Sequence, residues 1–176
     1  MTVPEPAREP LAIVVMGVSG CGKTSIGERL AERLHLPFLE GDSLHPKANV
    51  EKMAAGTPLS DEDRWPWLEA IGVHMRAALE NGQGVVVSCS ALKKSYRDLL
   101  RKATGHRTAL VYLEGSKALL SQRMGERTGH FMPVSLLESQ LATLENPAGE
   151  PLVVTVAIDR SINDIVEAAL AGLSRM

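Results

Sequence analysis

The sequence has little cysteine, no strong excess of either charge and no long apolar run. Two cysteines, Cys21 and Cys89, in 176 residues are too few for a disulfide framework, and their spacing is not that of a metal site. The formal net charge of −2 does not indicate a basic face for nucleic acid. No apolar run reaches the ~18 residues that a membrane-spanning helix needs. These absences favour a cytoplasmic protein without nucleic-acid or membrane partners.

The length fits one domain with a single sizeable core. Residues 1–10 contain three prolines and two glutamates, and no apolar segment follows them as it would in a signal peptide. We therefore expect residues 1–10 to be a short disordered lead and residues 11–176 to form one domain.

Short apolar runs alternate along the chain with segments of helical spacing. The runs predict strands at 11–17, 38–42, 85–90, 108–115 and 151–159. The segments predict helices at 25–34, 47–55, 67–80, 93–103, 117–124, 134–144 and 162–173. Ser60 resembles a helix N-cap, and we expect Pro66 to break the chain before Trp67. Alternating strands and helices predict an α/β fold, with a five-stranded parallel sheet flanked by helices.

The segment "GVSGCGKT" fits the P-loop pattern, with a predicted buried strand before it and an amphipathic helix after it. Glycines allow the backbone N–H groups to turn toward phosphate oxygens, and the helix N-terminus adds partial positive charge. Lys23 should reach the β- and γ-phosphates of ATP, and the Thr24 hydroxyl should bind Mg²⁺. The predicted nucleotide-binding residues are Gly17, Val18, Ser19, Gly20, Cys21, Gly22, Lys23 and Thr24. The alternative, a chance glycine-rich turn, does not account for the flanking strand and helix.

The rest of the chain narrows the class of nucleotide-binding protein. There is no Asn-Lys-x-Asp segment for guanine, and the third predicted strand ends "VVVSCS", without the acidic residue of a motor ATPase. Acidic residues instead end the second strand, where Glu40 and Asp42 are two apart and should point the same way. One carboxylate would hold Mg²⁺ through water, and the other would orient or deprotonate an acceptor hydroxyl. The alternative is two exposed acids at a strand end.

A glycine-rich, charged segment at about 122–133 has the composition of a lid. Arg123 and Arg127 lie on either side of Gly125. A loop carrying arginines can close over the phosphates, neutralise developing charge and exclude water. We therefore predict that both arginines are catalytic, against the alternative of a solvated turn.

Several longer motifs resemble those of the gluconate kinases, and together they cover nearly all of the chain after residue 10. They are "GD-x-LHP" at 41–46, Asn49, Lys52-Met53, Gly56, Pro58-Leu59, Asp61, Asp63-Arg64, Pro66-Trp67-Leu68, "CSALK" at 89–93, "YRDLLR" at 96–101, "GHFMP" at 129–133, Leu137, Ser139-Gln140 and Thr143-Leu144-Glu145. One departure is that the second strand ends "EGD", where the family resemblance leads us to expect "DGD". Glu40 should therefore serve near Mg²⁺ with a longer reach.

The resemblance implies ATP-dependent phosphorylation of D-gluconate to 6-phospho-D-gluconate. It also implies a fold like those of the shikimate and nucleoside-monophosphate kinases, with a lid, a substrate-binding segment at about 43–68, and a homodimer. In that setting Asp42 would orient or deprotonate the accepting hydroxyl, and Arg64 would pair with the gluconate carboxylate unless it is a surface arginine. Further predicted substrate contacts are His45, Lys52, Ser90 and His130. Two alternatives are a kinase of the same shape for another small molecule and a non-catalytic nucleotide-binding module.

Overall fold

The computed structural model describes residues 9–126 and 135–176, and these contain a five-stranded sheet. The strands are β1 (Ala12–Met16), β2 (Phe38–Glu40), β3 (Val85–Ser88), β4 (Thr108–Glu114) and β5 (Val153–Ala157). All pairings are parallel, in the order β2-β3-β1-β4-β5. The predicted α/β fold with a parallel five-stranded sheet is confirmed.

Seven α-helices flank the sheet in the described part of the chain. They are α1 (Lys23–Leu34), α2 (Lys47–Ala54), α3 (Asp61–Glu80), α4 (Lys94–Ala103), α5 (Lys117–Glu126), α6 (Ser135–Thr143) and α7 (Ile162–Leu173). Helix α1 packs against α7, and α3 packs against α4. Across residues 9–126 and 135–176, no helix combines the length and apolarity that crossing a membrane requires.

The core is built around the central strand β1. Every residue of β1 is buried, which explains why its sequence is continuously apolar and does not alternate. Ile26 and Leu30 of α1 join this core, as do Leu68 and Ile71 of α3. The core therefore holds the carboxyl ends of β1 and β3 in place, and these are the ends that carry the candidate site.

The predicted break at Pro66 is wrong, because α3 runs unbroken through the proline. Ser60 Oγ accepts the N–H of Asp63 at 3.1 Å, and Asp63 Oδ2 accepts the N–H of Ser60 at 2.9 Å, so a capping box fixes the helix start. Proline removes one hydrogen bond, to the carbonyl of Glu62, and Glu62 is exposed to water. Burial of Trp67 in the next position stabilises the continuous helix.

The prediction that Glu40 and Asp42 lie on one strand and point the same way is also wrong. Strand β2 ends at Glu40, and Gly41–Leu44 forms a turn of 3₁₀ helix that contains Asp42. A side chain at Gly41 would place its Cβ 2.0 Å from the carbonyl oxygen of Ser88. This close approach requires glycine, and it brings Asp42 around the end of β3 toward the P-loop.

Candidate active site

Residues 17–22 form the loop between β1 and α1, and Lys23 and Thr24 are the first two residues of α1, which is the strand–loop–helix order that the P-loop pattern predicts for a phosphate cradle. Gly22 caps α1 with φ of 93°, a left-handed conformation that favours glycine. The first turn of α1 has no acidic residue and no side-chain cap, so its N–H groups face the loop without a competing carboxylate. The N–H of Gly17 donates to the carbonyl of Ser90 at 3.3 Å, which ties the start of the cradle to the chain after β3.

Lys23 is the first residue of α1. Its Nζ donates to the carbonyl of Val18 at 3.2 Å, so the ammonium is folded back over the cradle. Lys23 also lines a cavity on one side of the loop, together with Asp42 and Ser90. The lysine, the acid and the serine, which the sequence places far apart, therefore meet at one site.

Glu40 connects the cradle to the sheet through both of its carboxylate oxygens. Oε2 accepts from Thr24 Oγ1 at 2.5 Å, and Oε1 accepts from Ser88 Oγ at 2.6 Å. Ser88 Oγ in turn accepts the N–H of Gly41 at 3.2 Å. The two residues predicted to bind the metal, Thr24 and Glu40, are thus in direct contact, and Ser88 is a supporting residue that the sequence did not indicate.

His45 and Arg64, both predicted to bind substrate, line the same cavity as Asp42. The His45 ring stacks on Trp67, with ring centres 4.0 Å apart, and its side chain is 3% exposed. Burial, together with the positive charge of Arg64, lowers the pKa of His45 to about 4. The imidazole is therefore neutral at physiological pH.

Arg64 is buried and held by a chain of polar contacts. Its Nη1 donates to the hydroxyl of Tyr96 at 2.8 Å, and that hydroxyl donates to Asp61. Lys93 Nζ also donates to Asp61, at 3.0 Å. Burial and the contact with Asp61 raise the pKa of Tyr96, so the phenol keeps its proton. Arg64 is therefore a buried residue, and the alternative that it is a surface arginine is wrong.

The other predicted residues lie elsewhere or outside the described ranges. Lys52 is absent from the described lining of the cavity, and its Nζ pairs with both oxygens of Asp63 at 2.8 and 3.0 Å. Arg123 lines a different cavity beside the cradle, and its Nη2 donates to the carbonyl of Ile158 at 2.7 Å. Arg127 and His130, with most of the predicted lid, fall outside the described residues.

Gln140 of α6 is a site residue that the sequence did not single out for a role. Its Oε1 accepts the backbone N–H of Ser19 at 2.8 Å, and both residues line the cavity that contains Asp42. The two residues are 121 positions apart, so no local pattern signals the contact. The contact joins the P-loop to the helix that follows the predicted lid.

A second cavity borders P-loop residues that do not line the first. It is lined by the cradle residues Gly20, Cys21 and Gly22, by Ser25 and Ile26 of α1, and by Arg123, Arg160, Ile162 and Ile165. The P-loop thus contributes to two cavities, one lined by Asp42 and the buried Arg64 and the other by Arg123 and Arg160.

Comparisons with known proteins agree with this arrangement. The family model described as an AAA domain matches residues 13–147. The gluconokinase of Gluconobacter oxydans is 47% identical over 159 residues, covering 90% of this chain and 89% of that protein. The thermosensitive gluconokinase of Escherichia coli is 44% identical over 157 residues, covering 89% of this chain and 83% of that protein.

Solved structures show the same likeness. The crystal structure of a gluconokinase from Sinorhizobium meliloti superposes with a TM-score of 0.87 at 55% identity, covering 96% of this chain and 94% of that one. The Mycobacterium tuberculosis APS kinase CysC has a TM-score of 0.67 at 22% identity, which shows a shared fold alone.

Proposed function

The chain belongs to the gluconokinase family, and we propose that it transfers the γ-phosphoryl group of ATP to D-gluconate, forming 6-phospho-D-gluconate and ADP. The observation that carries this proposal is the cavity beside the P-loop, where Lys23, Asp42 and Arg64 meet. Lys23 suits the phosphates of ATP, Asp42 suits the accepting hydroxyl, and the buried Arg64 suits the carboxylate of gluconate. These are the three groups that the reaction brings together.

The nucleotide is proposed to lie across the P-loop. Backbone N–H groups of Gly17–Thr24 and the ammonium of Lys23 bind its phosphates. The cavity with Arg123 and Arg160 borders the cradle and does not include Asp42 in its described lining, and we assign the rest of the nucleotide to it. In this arrangement Arg123 contacts the nucleotide and not the acceptor.

The residues at the cradle fit a magnesium ion. Thr24 and Glu40 present a hydroxyl and a carboxylate 2.5 Å apart, and Mg²⁺ in phosphate-transfer sites prefers a few hard oxygen donors beside substrate phosphates and water. When bound, the ion neutralises charge on the β- and γ-phosphates. Glu40 supplies the negative charge on the protein side, and Ser88 holds that carboxylate in place.

Asp42 is proposed to receive the proton of the accepting hydroxyl. Its side chain is 39% exposed and lines the cavity, so a substrate can reach it. The oxygen of the primary hydroxyl bonds to the γ-phosphorus, the bond from that phosphorus to the ADP oxygen breaks, and the hydroxyl proton leaves toward Asp42. Because the transition state of such transfers is loose, orienting the hydroxyl contributes more than strong basicity.

Arg64 is proposed to bind the gluconate carboxylate. Among the described residues, the hydrogen bond of the Arg64 side chain is the one from Nη1 to Tyr96, and a guanidinium has five N–H donors that suit a two-oxygen acceptor. Lys52 is proposed to act indirectly, because it pairs with Asp63 on the helix that carries Arg64. Ser90 and His45 complete the polar wall of the cavity.

Arg127 and His130 are proposed to act from the lid, and this rests on the sequence motif alone. A homodimer, a cytoplasmic location and a disordered lead at residues 1–10 likewise stay predictions from the sequence.

The deciding experiment measures ADP formation with Mg-ATP and one of four acceptor conditions: D-gluconate, shikimate, AMP or none. Turnover that depends on D-gluconate, with 6-phospho-D-gluconate identified by mass spectrometry, is the expected result. Turnover with another acceptor would keep the kinase activity and refute the substrate. ATP binding without any acceptor-dependent turnover would refute the catalytic function.

A further inference from the structure

The amide of Asn49 determines which nitrogen of the His45 ring carries a proton. Asn49 Nδ2 donates to the main-chain carbonyl of Asp63 at 2.8 Å, and because a carbonyl only accepts, this contact identifies the atom as nitrogen. The same Nδ2 lies 3.2 Å from His45 Nδ1 and has a second hydrogen to donate. Asn49 is buried, so its amide has no solvent-facing alternative. Nδ1 therefore accepts, and the proton of the neutral ring is on Nε2.

The ring that carries this N–H is fixed in place. It stacks on Trp67 with planes 16° apart, and the charged groups that face it are Arg64 and Asp42. Burial and Arg64 disfavour the imidazolium, which is consistent with the single proton assigned above. Because the ring is fixed, the Nε2–H group can donate a hydrogen bond in only one direction.

His45 and Asp42 both line the cavity that also contains Lys23 and Arg64, which is the acceptor cavity of the proposed reaction. Nε2 lies 3.8 Å from Asp42 Oδ1, which is too long for a hydrogen bond. An oxygen atom ~2.8 Å from both fits between them, at ordinary hydrogen-bond lengths. A hydroxyl group there can accept from Nε2–H and donate to Oδ1 at the same time, which no carboxylate or carbonyl oxygen can do.

We propose that His45 orients the phosphoryl-accepting hydroxyl by donating Nε2–H to one of its lone pairs, while the hydroxyl donates its proton to Asp42. This inference rests on the proposed function and specifies how its acceptor is aimed. A hydroxyl oxygen has a bond to carbon, a bond to hydrogen and two lone pairs, of which Asp42 receives the hydrogen and His45 takes one lone pair. The second lone pair is left to form the new bond to the γ-phosphorus as the bond to ADP breaks.

The first test is a ¹⁵N NMR measurement on the full chain without substrate. Long-range ¹H–¹⁵N correlations distinguish the two neutral tautomers and the imidazolium, and the His45 signals are those missing from His45→Phe. At pH 7 we expect the Nε2–H tautomer. The Nδ1–H tautomer or a protonated ring would overturn the proposal.

The second test separates donation from packing with two opposite variants. His45→Phe keeps a ring to stack on Trp67 but has no donor, and His45→Gln loses the ring but keeps an amide N–H at a similar reach. We expect kcat to fall about 10- to 100-fold in His45→Phe, with the KM for ATP unchanged, and to recover partly in His45→Gln. A Phe variant with wild-type kcat, or a Gln variant no better than Phe, would overturn the proposal.

The two proposals fail in different ways. If the wild-type enzyme uses another acceptor, the gluconate assignment fails, while the tautomer result and the two variants are still measurable with that acceptor. If gluconate is the acceptor and the tautomer is wrong, only the role of His45 fails.

Discussion

The guanidinium of Arg64 donates to the hydroxyl of Tyr96, which is 32 positions away and on a different helix. The arginine also lies over the Tyr96 ring, with Cζ 5.4 Å from its centre. A buried, always charged side chain is thereby held at one end of the acceptor cavity by a neutral phenol. No carboxylate is bonded to Arg64 within the described residues, so its charge is available to an acidic substrate.

Tyr96→Phe should weaken gluconate binding. The variant keeps the ring under Arg64 and removes the oxygen that orients the guanidinium. We expect the KM for gluconate to rise about tenfold and the KM for ATP to stay unchanged, since a hydrogen bond to a charged group contributes about 1.5–3 kcal/mol. Steady-state kinetics with each substrate varied measures both constants. Lys94→Ala, on the exposed face of the same helix, is the control, and an equal rise in both KM values would contradict the role.

Asp42→Asn should abolish most turnover while leaving nucleotide binding intact. The amide has nearly the same shape but cannot receive the hydroxyl proton. We expect kcat to fall by about 10²- to 10⁴-fold. Nucleotide titration by fluorescence should give a wild-type Kd for Asp42→Asn and a much weaker one for Lys23→Ala. An Asn variant with wild-type kcat would remove Asp42 from the chemistry.

Glu40→Gln should shift the magnesium dependence of the reaction. The variant keeps hydrogen-bonding atoms near Thr24 and Ser88 but loses the negative charge. We expect the Mg²⁺ concentration for half-maximal activity to rise about 10-fold or more, as is typical when the group supporting a metal ligand is lost. Activity is titrated with Mg²⁺ at fixed ATP, and Glu51→Gln on the exposed face of α2 serves as the control. An unchanged Mg²⁺ titration would show that Glu40 has only a structural role.

The buried His45 should make the fold less stable as the pH falls. Its pKa is about 4 in the folded protein and ~6.5 when unfolded, so below pH 6.5 the unfolded chain takes up a proton that the folded chain does not. Stability is therefore full above pH 6.5 and decreases as pH falls toward 4. Between pH 6.5 and 5 the loss is at most about 2 kcal/mol, at 1.36 kcal/mol per pKa unit.

Urea unfolding of the wild type and of His45→Phe at pH 7, 6 and 5 measures this loss. The Phe variant has no group to protonate, so its free energy of unfolding should depend less on pH over this range. Parallel pH dependences in the two proteins would show that His45 does not contribute.

The fold was predictable because its elements have strong local patterns. Helix α7 has the predicted bounds, Ile162–Leu173, and each strand lies within its predicted run. These are the segments in which periodicity and burial agree, as for the continuously apolar β1. The two errors, at Pro66 and at Asp42, are places where a tertiary contact outweighs the local signal, through Trp67 in one case and Ser88 in the other.

The site was predictable only where its residues lie in motifs. Lys23, Asp42, His45, Arg64 and Ser90 were all expected, and they line one cavity. These side chains are held in place by Ser88, Asn49 and Tyr96, through long-range contacts that a single sequence does not reveal. Lys52 was predicted to contact the substrate because it is a cation in the substrate-binding segment. Its ammonium group is instead paired with the carboxylate of Asp63.

The strand order β2-β3-β1-β4-β5 also determines when this protein can begin to fold during synthesis. In the described sheet, β1 pairs only with β3 and β4, and β2 pairs only with β3. A nascent chain that ends before Val85 thus contains β1 and β2, which are not neighbours in the folded sheet, and β1 is wholly apolar. Until β3 leaves the ribosome, β1 has no partner strand, and we expect the emerging chain to need protection from aggregation during that interval.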